Sequence, residues 1–440
     1  MQDESQRFNQ TNGALDANHV GHKGAGWAVT RFGGALYLSL AIDLDIYVRR
    51  IPLQLSSAAQ RCFKYELVVH YFRKRLGENN VPINILGMIG VAPPPGAATV
   101  HIVGGGIDRD YIKAFTQAHE KSDFDAILIG HSSSSADGFG IAQYVATHSE
   151  RVKILLAHRP GFASPTQAAR RVATLDNLIE GRLWLHIITG GVDADQRRDG
   201  DYTPHDERYE RTDEYLEIMR RVWNATEPVD FEGKFYRVSR AASDVQAHQK
   251  PHVPLWFGGV SDAAIPVGAK HCDTYALFGE PRAQVLELMT RINAEAADHG
   301  RRPSYNLSFR PIIGATEEEA WRKAEVILAG VEASGGGGGA GIPQAETARR
   351  LMRLIEGGDV QDERLWVPIA AAAKGSGNST ALVGTAEQVA EAISKYYDLG
   401  VSGVLIRGFD PFNDAIEYGH ELIPQIREKV ASRDAAKAAQ

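Results

Sequence analysis

Short runs of apolar residues alternate with helical patterns along the chain from about residue 82 onward. In chain order these runs read PINILGMIG, DAILIGH, RVKILLAHRPG, RLWLHIITGG, VPLWFGG, TYALFG, LSFRPIIGA and VSGVLIRGF. Strands that are apolar on both faces are typical of a parallel sheet covered by helices. Eight such strands predict an α/β fold, a closed (β/α)8 TIM barrel, rather than an open doubly wound sheet.

The same pattern divides the chain into segments. We expect the barrel to span residues 81–432 and to be followed by a short tail at 433–440. Residues 1–80 show no regular alternation of strand and helix patterns. They are either an appended segment or a poorly defined N-terminal extension, upstream of the natural start, that is not part of the native fold. We favour the second interpretation.

A further irregular stretch, residues 331–380, falls between the seventh and eighth predicted strands. It contains the glycine run ASGGGGGAG, and glycine loses more backbone entropy on ordering than any other residue. An insertion after a late barrel strand lies at the C-terminal end of the barrel, where active sites are found. We therefore expect a mobile lid. A linker without a functional role is the alternative.

Composition and charge exclude several classes of protein. A net charge of -7 argues against a basic nucleic-acid-binding protein. The chain has only two cysteines, Cys62 and Cys272, so we expect no disulfide framework and a cytoplasmic location. The most apolar early stretch, FGGALYLSLAIDLDIYV, is interrupted by Asp43 and Asp45 and is too short to span a membrane.

The sequence contains no motif for a metal ion or for a hydrolase. Its fifteen histidines are scattered without an HExxH pattern, and neither CxxC nor GxSxG is present. What remains is a set of polar residues and glycines at predicted strand ends: His131, Ser135, His158, Arg159, Thr189, Gly190, the turn 258–261 and Arg310. A barrel brings all of these positions to one rim.

FGGVSDAA (257–264) is the best candidate for an anion-binding turn. Gly259 and its neighbour Val260 follow a predicted strand, and Ser261 and Asp262 are predicted to open a helix. Glycine lets the backbone approach a ligand closely, and the free N–H groups at a helix start favour an anion. A plain strand-to-helix turn is the alternative.

HDERYERTDEYLEIMRRVW (205–223) predicts a long amphipathic helix that begins just after Pro204. His205 and Tyr209 lie four residues apart in its first turns. Residues at this spacing share one helix face, so both side chains can contact one ligand beyond the helix start. A capping histidine beside a core tyrosine is the alternative.

Several segments together resemble the bacterial-luciferase-like flavin-dependent monooxygenases. They are ILLAHRPGFASPTQAARRVATLDNLIEGRLWLHIITGG, HDERYERTDEYLEIMRRVW, VDFEGKFYRV and PLWFGGVSDAA. The resemblance extends from about residue 82 to 430 and is greatest to the alkanesulfonate monooxygenase branch, whose members split a C–S bond. It implies a (β/α)8 barrel that receives reduced FMN from an NAD(P)H-dependent flavin reductase and uses O2 to form a flavin peroxide. It also implies a homo-dimer or tetramer.

The resemblance assigns roles to the cofactor-side candidates. His205 and Tyr209 match an H-x-x-x-Y pair that contacts the flavin and its phosphate tail, and Ser261 matches a phosphate-holding turn in which Val260 replaces a common serine. His131 and His158 match strand-end positions near the isoalloxazine ring; for both, a structural role in core or rim is the alternative. The segment LHIITGG places Thr189 either beside a flat ligand or in a plain turn.

The substrate side departs from the alkanesulfonate branch. Ser308 and Arg310 stand where the branch has an arginine and a histidine, and Ser135 replaces a cysteine. Lys374 is the counterpart of a loop arginine. Ser135, Arg310 and Lys374 are therefore the candidate catalytic residues, and we expect the two cationic side chains to stabilise negative charge.

These features predict an FMNH2-dependent two-component monooxygenase for a small organic substrate, with an organosulfur compound such as a sulfonate or sulfone as the first choice. An unrelated small organic molecule would fit as well. One alternative is a deazaflavin (F420)-dependent oxidoreductase on the same fold, which cofactor titration distinguishes. The other is a flavin-binding protein without turnover, which would consume no oxygen in response to any substrate.

Overall fold

The computed structural model describes residues 27–32 and 35–40 as backbone, and residues 83–96, 98–335 and 343–438 in full. The chain divides into two compact units, Met1–Asn80 and Val81–Gln440. In the first unit, strands β1 (Trp27–Phe32) and β2 (Ala35–Leu40) form an antiparallel hairpin. The prediction that residues 1–80 are not part of the native fold concerns mostly residues outside the described ranges and stays a prediction.

The second unit is a closed barrel of eight parallel strands. They are β3 (Asn84–Ile89), β4 (Ala126–Ile129), β5 (Lys153–His158), β6 (Leu183–Ile188), β9 (Leu255–Gly258), β10 (Thr274–Phe278), β11 (Ser304–Ile313) and β15 (Gly403–Ile406). Each pairs in parallel with the next, and the pairing of β15 with β3 closes the ring. Seven of the strands lie within their predicted apolar runs, and β11 begins three residues before its run, so the predicted (β/α)8 barrel is confirmed.

Alternate residues of each strand face opposite sides of the barrel wall. The interior is filled by a compact cluster of Leu86, Ala126, Leu155, Trp184, Trp256 and Leu405. The residues between them, such as Val404 and Ile406 on β15, belong to the larger core between strands and helices. The strands are apolar throughout because both of their faces are buried.

The helices follow the strands around the barrel. They are α1 (Arg109–Lys121), α2 (Gly138–Ala146), α3 (Pro165–Leu178), α4 (Asp193–Arg198), α5 (His205–Asn224), α6 (Ala264–His271), α7 (Arg282–Ala297), α8 (Glu317–Ala333), α9 (Glu346–Arg353), α10 (Pro368–Ala372), α11 (Ala386–Asp398), α12 (Pro411–Glu417) and α13 (Ile423–Ala438). Side chains such as Asp108 and Ser164 cap their N-termini by accepting a backbone N–H. Among the described helices, none has the length and apolar character needed to cross a bilayer.

The segment between β11 and β15 carries more structure than the sequence predicted. Its segment ETARRLMRLIEG, residues 346–357, forms helix α9 and a 3-10 turn, Leu354–Gly357. Three further strands follow: β12 (Val360–Gln361), β13 (Leu365–Trp366) and β14 (Ala381–Gly384). β14 pairs with the outer half of β11, at residues 310–313. Residues 336–342 of the glycine run lie outside the described residues, and the mobile lid stays a prediction.

A second short sheet lies between α5 and β9. Strands β7 (Val229–Glu232) and β8 (Arg237–Ala241) form an antiparallel hairpin. The Glu214 carboxylate of α5 accepts the backbone N–H groups of Lys234, Phe235 and Tyr236 at its turn. The hairpin is thereby fixed to the helix that carries His205 and Tyr209.

Candidate active site

The C-terminal ends of the barrel strands form one rim, which we call the mouth. Polar residues and glycines reach it from most of the strands: Gly130 and His131 after β4, Arg159 after β5, Thr189 and Gly190 after β6, the turn 258–261 at the end of β9, Ser308 and Arg310 on β11, and Arg407 after β15. Active sites of such barrels lie at this end, because the loops that vary are joined here to a rigid wall.

His205 and Tyr209 come together at one side of the mouth. Helix α5 begins at His205, directly behind Pro204, as predicted. The two rings touch edge to face with centroids 5.2 Å apart, and the Tyr209 ring centroid lies 6.4 Å from that of Phe257 on β9. The start of the helix is therefore packed against the strand whose end forms the glycine turn.

The glycine turn, residues 258–261, packs closely against Tyr209. Gly259 has φ +152°, and a Cβ there would lie 3.1 Å from Cβ of Ala264 and 3.2 Å from Oη of Tyr209. The carbonyl of Ser261 accepts N–H groups from Ala264 (2.9 Å) and Ile265 (3.1 Å). Helix α6 thus starts at Ala264, three residues later than predicted, because residues 261–263 form a turn first.

The polar groups at the glycine turn suit an anion. The Ser261 hydroxyl is buried beside the Tyr209 phenol and has no other hydrogen-bond partner among the described residues. Burial raises the pKa of Tyr209 above its usual value, with the nearby Ser261 hydroxyl opposing the shift, so the phenol stays protonated and can donate. The Val260 side chain is buried in the core. The turn therefore collects hydrogen-bond donors of the kind that bind a phosphate group.

A charged network stands at another part of the mouth. Arg159 donates through Nη2 to Oδ2 of Asp195 (2.6 Å), and the Ser133 hydroxyl donates to the other oxygen of Asp195 (2.5 Å). Beside it, Nε2 of His131 is buried without a partner among the described residues. Burial, followed by the charge of Arg159, lowers the pKa of His131, so its imidazole is neutral at pH 7. His131 thus lies at the mouth as a neutral polar group.

The structure does not bring His158 and Thr189 to the same place. His158 faces the helix layer, where its Nε2 is 2.8 Å from the hydroxyl of Tyr215, and burial lowers its pKa to about 4. Thr189 is also buried, and its hydroxyl bonds that of Thr212 on α5 at 3.2 Å. Both side chains connect the barrel wall to helix α5, which is the structural alternative stated for His158.

One interior histidine, His186, was not identified from the sequence. In LWLHII of β6, His186 shares a face with Trp184, which stacks on Trp256 inside the barrel with ring centroids 5.0 Å apart. Nδ1 of His186 is buried without a partner among the described residues, and burial lowers its pKa to about 4. A Cβ on Gly258 would lie 3.2 Å from its Cε1. Strand alternation counted from Trp184 was the signal that could have identified it.

Ser135 and Lys374 lie apart from the glycine turn in the chain. The Ser135 hydroxyl donates to the carbonyl of Ser132 (2.9 Å) and accepts its N–H (3.0 Å), so it closes the loop after β4. Ser135 also lines a small cleft at the mouth with Ile89 and Val103. Lys374 is exposed and follows α10 with φ +51°.

Arg310 has a different environment from the one predicted. It is fully buried, and all five of its N–H donors go to backbone carbonyls: Nε to Asn378, Nη1 to Thr99 and Gly408, and Nη2 to Val100 and Gly377. The guanidinium also lies over the ring of Phe409, 4.7 Å from its centroid. No donor remains for a substrate, so the geometry makes Arg310 a link between the loops of the mouth.

A (β/α)8 barrel with polar groups collected at its C-terminal mouth is the architecture of an enzyme that binds a small molecule. Residues 88–403 match the family model described as luciferase-like monooxygenase. That match covers more than half of the chain. The chain belongs to the luciferase-like monooxygenase family, and it is an oxidoreductase of that family.

Solved structures share this fold. A riboflavin lyase, RcaE, solved with modified FMN and riboflavin, superposes with a TM-score of 0.66 at 18% identity, over 79% of this chain and 92% of that one. EDTA monooxygenase (EmoA) from Chelativorans sp. BNC1 gives 0.60 at 18%, over 80% and 94%. A coenzyme F420-dependent tetrahydromethanopterin reductase from Methanopyrus kandleri gives 0.57 at 15%, over 78% and 99%. At these identities the likeness extends to the fold.

Proposed function

We propose that the chain is the oxygenase component of a two-component monooxygenase. It would use reduced FMN, delivered by an NAD(P)H-dependent flavin reductase, to oxygenate a small organic substrate, with sulfonates and sulfones as the first candidates. The observation that carries the proposal is the glycine turn at 258–261, where the buried Ser261 hydroxyl lies beside the Tyr209 phenol. Membership of the luciferase-like monooxygenase family supports the oxygenase chemistry.

The residues present fit the phosphate tail of a flavin mononucleotide. Gly259 brings its backbone close to the Tyr209 phenol, and the buried Ser261 hydroxyl lies beside the same phenol, so two hydroxyl donors stand together at the turn. The Tyr209 phenol remains protonated because burial raises its pKa, so it donates to the phosphate rather than repelling it. His205 stands at the open end of the pair, with its Nδ1 2.7 Å from Oδ1 of Asp206.

When bound, reduced FMN supplies the electrons that activate O2. The chain's own residues determine the charge and the water content of the site. Near the interior of the mouth, His186 and His131 are neutral at pH 7, because burial lowers the pKa of each. Neutral imidazoles can donate or accept a hydrogen bond without adding a charge. The interior cluster around Trp184 and Trp256 closes the barrel below them and excludes bulk water.

An F420-dependent oxidoreductase is the second candidate function. The fold is shared with a coenzyme F420-dependent reductase, so the architecture alone does not separate the two cofactors. F420, like FMN, carries a phosphate that the glycine turn at 258–261 could hold. The cofactor must therefore be identified by direct titration of the purified chain.

The test has two stages. The protein is titrated anaerobically with FMNH2 and with reduced F420, followed by tryptophan fluorescence. Oxygen consumption is then measured with a flavin reductase and NADH against a panel of sulfonates and sulfones, with detection of sulfite and aldehyde. We expect micromolar binding of FMNH2 and product formation from one member of the panel. Binding of F420 without FMNH2 would favour the second candidate, and absence of product from every substrate would favour a flavin-binding protein.

A further inference from the structure

Arg407 is a second buried arginine at the mouth, directly after β15. It follows Leu405 at a spacing of two, and Leu405 belongs to the interior cluster of the barrel. Its Nη1 lies 3.1 Å from Sδ of Met88 on β3, two residues beyond the interior residue Leu86. The guanidinium of Arg407 therefore extends across the interior side of the barrel wall.

The donors of Arg407 are only partly used. Its Nη2 donates to the carbonyls of Gly377 (2.7 Å) and Val100 (3.2 Å), and its Nη1 reaches only the thioether of Met88, a weak acceptor. Nε and the second hydrogen of Nη1 have no partner among the residues that the structure describes. Arg310 in contrast uses all five of its donors on carbonyls.

The charges of the two arginines are not balanced by the protein. Both guanidiniums donate to the same two carbonyls, those of Val100 and Gly377, so two positive charges are held side by side. Within the described ranges, neither Arg310 nor Arg407 has a carboxylate within the 4.0 Å of an ion pair. The nearby Asp414 is a weak counter-ion, since burial raises its pKa to about 7. Buried like charges of this kind are costly unless an anion joins them.

We propose that Arg407 is the specificity-determining residue of the substrate site and binds an anionic oxygen group of the substrate. The inference rests on the proposed function, which makes the mouth the place of catalysis. In the ring of strands, β15 is three positions from β9, so Arg407 stands nearly opposite the glycine turn. The two positions can therefore hold two different anions, the cofactor phosphate at one and the substrate at the other.

The test compares a charged ligand with its neutral isostere on the protein without cofactor. Methanesulfonate and dimethyl sulfone have the same size and shape and differ by one charge. Their dissociation constants are measured by calorimetry at constant ionic strength for the wild type, Arg407→Met and Arg407→Lys. The matched control is Arg182→Met, because Arg182 also donates to backbone carbonyls, those of Val152 and Ala146, but lies at the opposite end of the barrel.

We expect the wild type and Arg182→Met to prefer methanesulfonate by at least about tenfold, the range of a charge-assisted hydrogen bond. Arg407→Met should reduce this preference to within about threefold. Arg407→Lys should still prefer methanesulfonate to dimethyl sulfone but bind it more weakly, because an ammonium group replaces the planar set of guanidinium donors. This variant also serves if Arg407→Met does not fold.

An unchanged preference in Arg407→Met, or equal binding of both ligands by the wild type, would overturn the proposal. So would unchanged methanesulfonate affinity in Arg407→Lys. Because no cofactor is present, a charge preference that depends on Arg407 would stand even if the chain failed to bind FMNH2. Failure of the proposed function and failure of this inference are thus separate results.

Discussion

Replacing Tyr209 by phenylalanine removes one hydroxyl from the proposed phosphate site and leaves the rest of the side chain in place. The ring keeps its contacts with His205 and Phe257, so the fold should be unaffected. A hydrogen bond to a charged group contributes about 1.5–3 kcal/mol. Its loss should therefore weaken FMNH2 binding roughly 10- to 150-fold.

The assay is anaerobic titration of tryptophan fluorescence with reduced FMN and, in parallel, with reduced riboflavin. Riboflavin lacks the phosphate, so Tyr209→Phe should leave its affinity unchanged. Tyr215→Phe is the matched control, because Tyr215 lies on the same helix but bonds His158 in the helix layer. This control should bind both flavins normally. Equal losses for FMN and riboflavin in Tyr209→Phe, or no loss for FMN, would refute the assignment of the phosphate to the glycine turn.

Three further predictions concern the turn, the buried arginine and pH. Gly259→Ala should weaken FMNH2 binding at least about fivefold, because the added Cβ would press against the Tyr209 hydroxyl. Gly300→Ala is the control and should leave the affinity unchanged, because its Cβ meets nothing within 4 Å. Fluorescence titration measures the FMNH2 affinity of both variants. Arg310→Met should lower the free energy of unfolding, measured in urea, by at least about 3 kcal/mol, because it leaves several buried carbonyls without a donor. A smaller loss would contradict the role of Arg310 as a link between the loops of the mouth. Burial lowers the pKa of His158 from 6.5 to about 4 in the folded state. The neutral imidazole therefore contributes up to about 3 kcal/mol to the free energy of unfolding above pH 6.5, and this contribution is lost as the pH falls toward 4. His158→Gln should lose less stability between pH 7 and 5 than the wild type, and an identical pH dependence would contradict the buried neutral imidazole.

The barrel could be predicted from the sequence because its strands are buried on both faces and read as apolar runs. The small sheet of β12, β13 and β14 could not. Its strands have two to four residues, and β14 exists because β11 continues past the barrel wall to residue 313. Pairing of this kind depends on tertiary position rather than on a local pattern.

The residues of the candidate site also differ in how far a local sequence pattern could identify them. His205 and Tyr209 lie four residues apart and the turn 258–261 is one continuous segment, so local patterns could identify each of them as a candidate. For His158 the strand-end position left two roles open, and alternation with Ile154 and Leu156 places its side chain toward the helices. The environment of Arg310 depends on carbonyls as distant as Thr99, 211 positions away in the chain, which no local pattern records.

The crystal structure of the chain in complex with FMN would test the central claim most directly. We expect the phosphate within hydrogen-bonding distance of the Ser261 hydroxyl and the backbone of residues 259–261, with the Tyr209 phenol as a further donor. The ring system would lie over the mouth near His186. A flavin bound with its phosphate at the opposite end of the barrel, or at the mouth but away from the glycine turn, would contradict it.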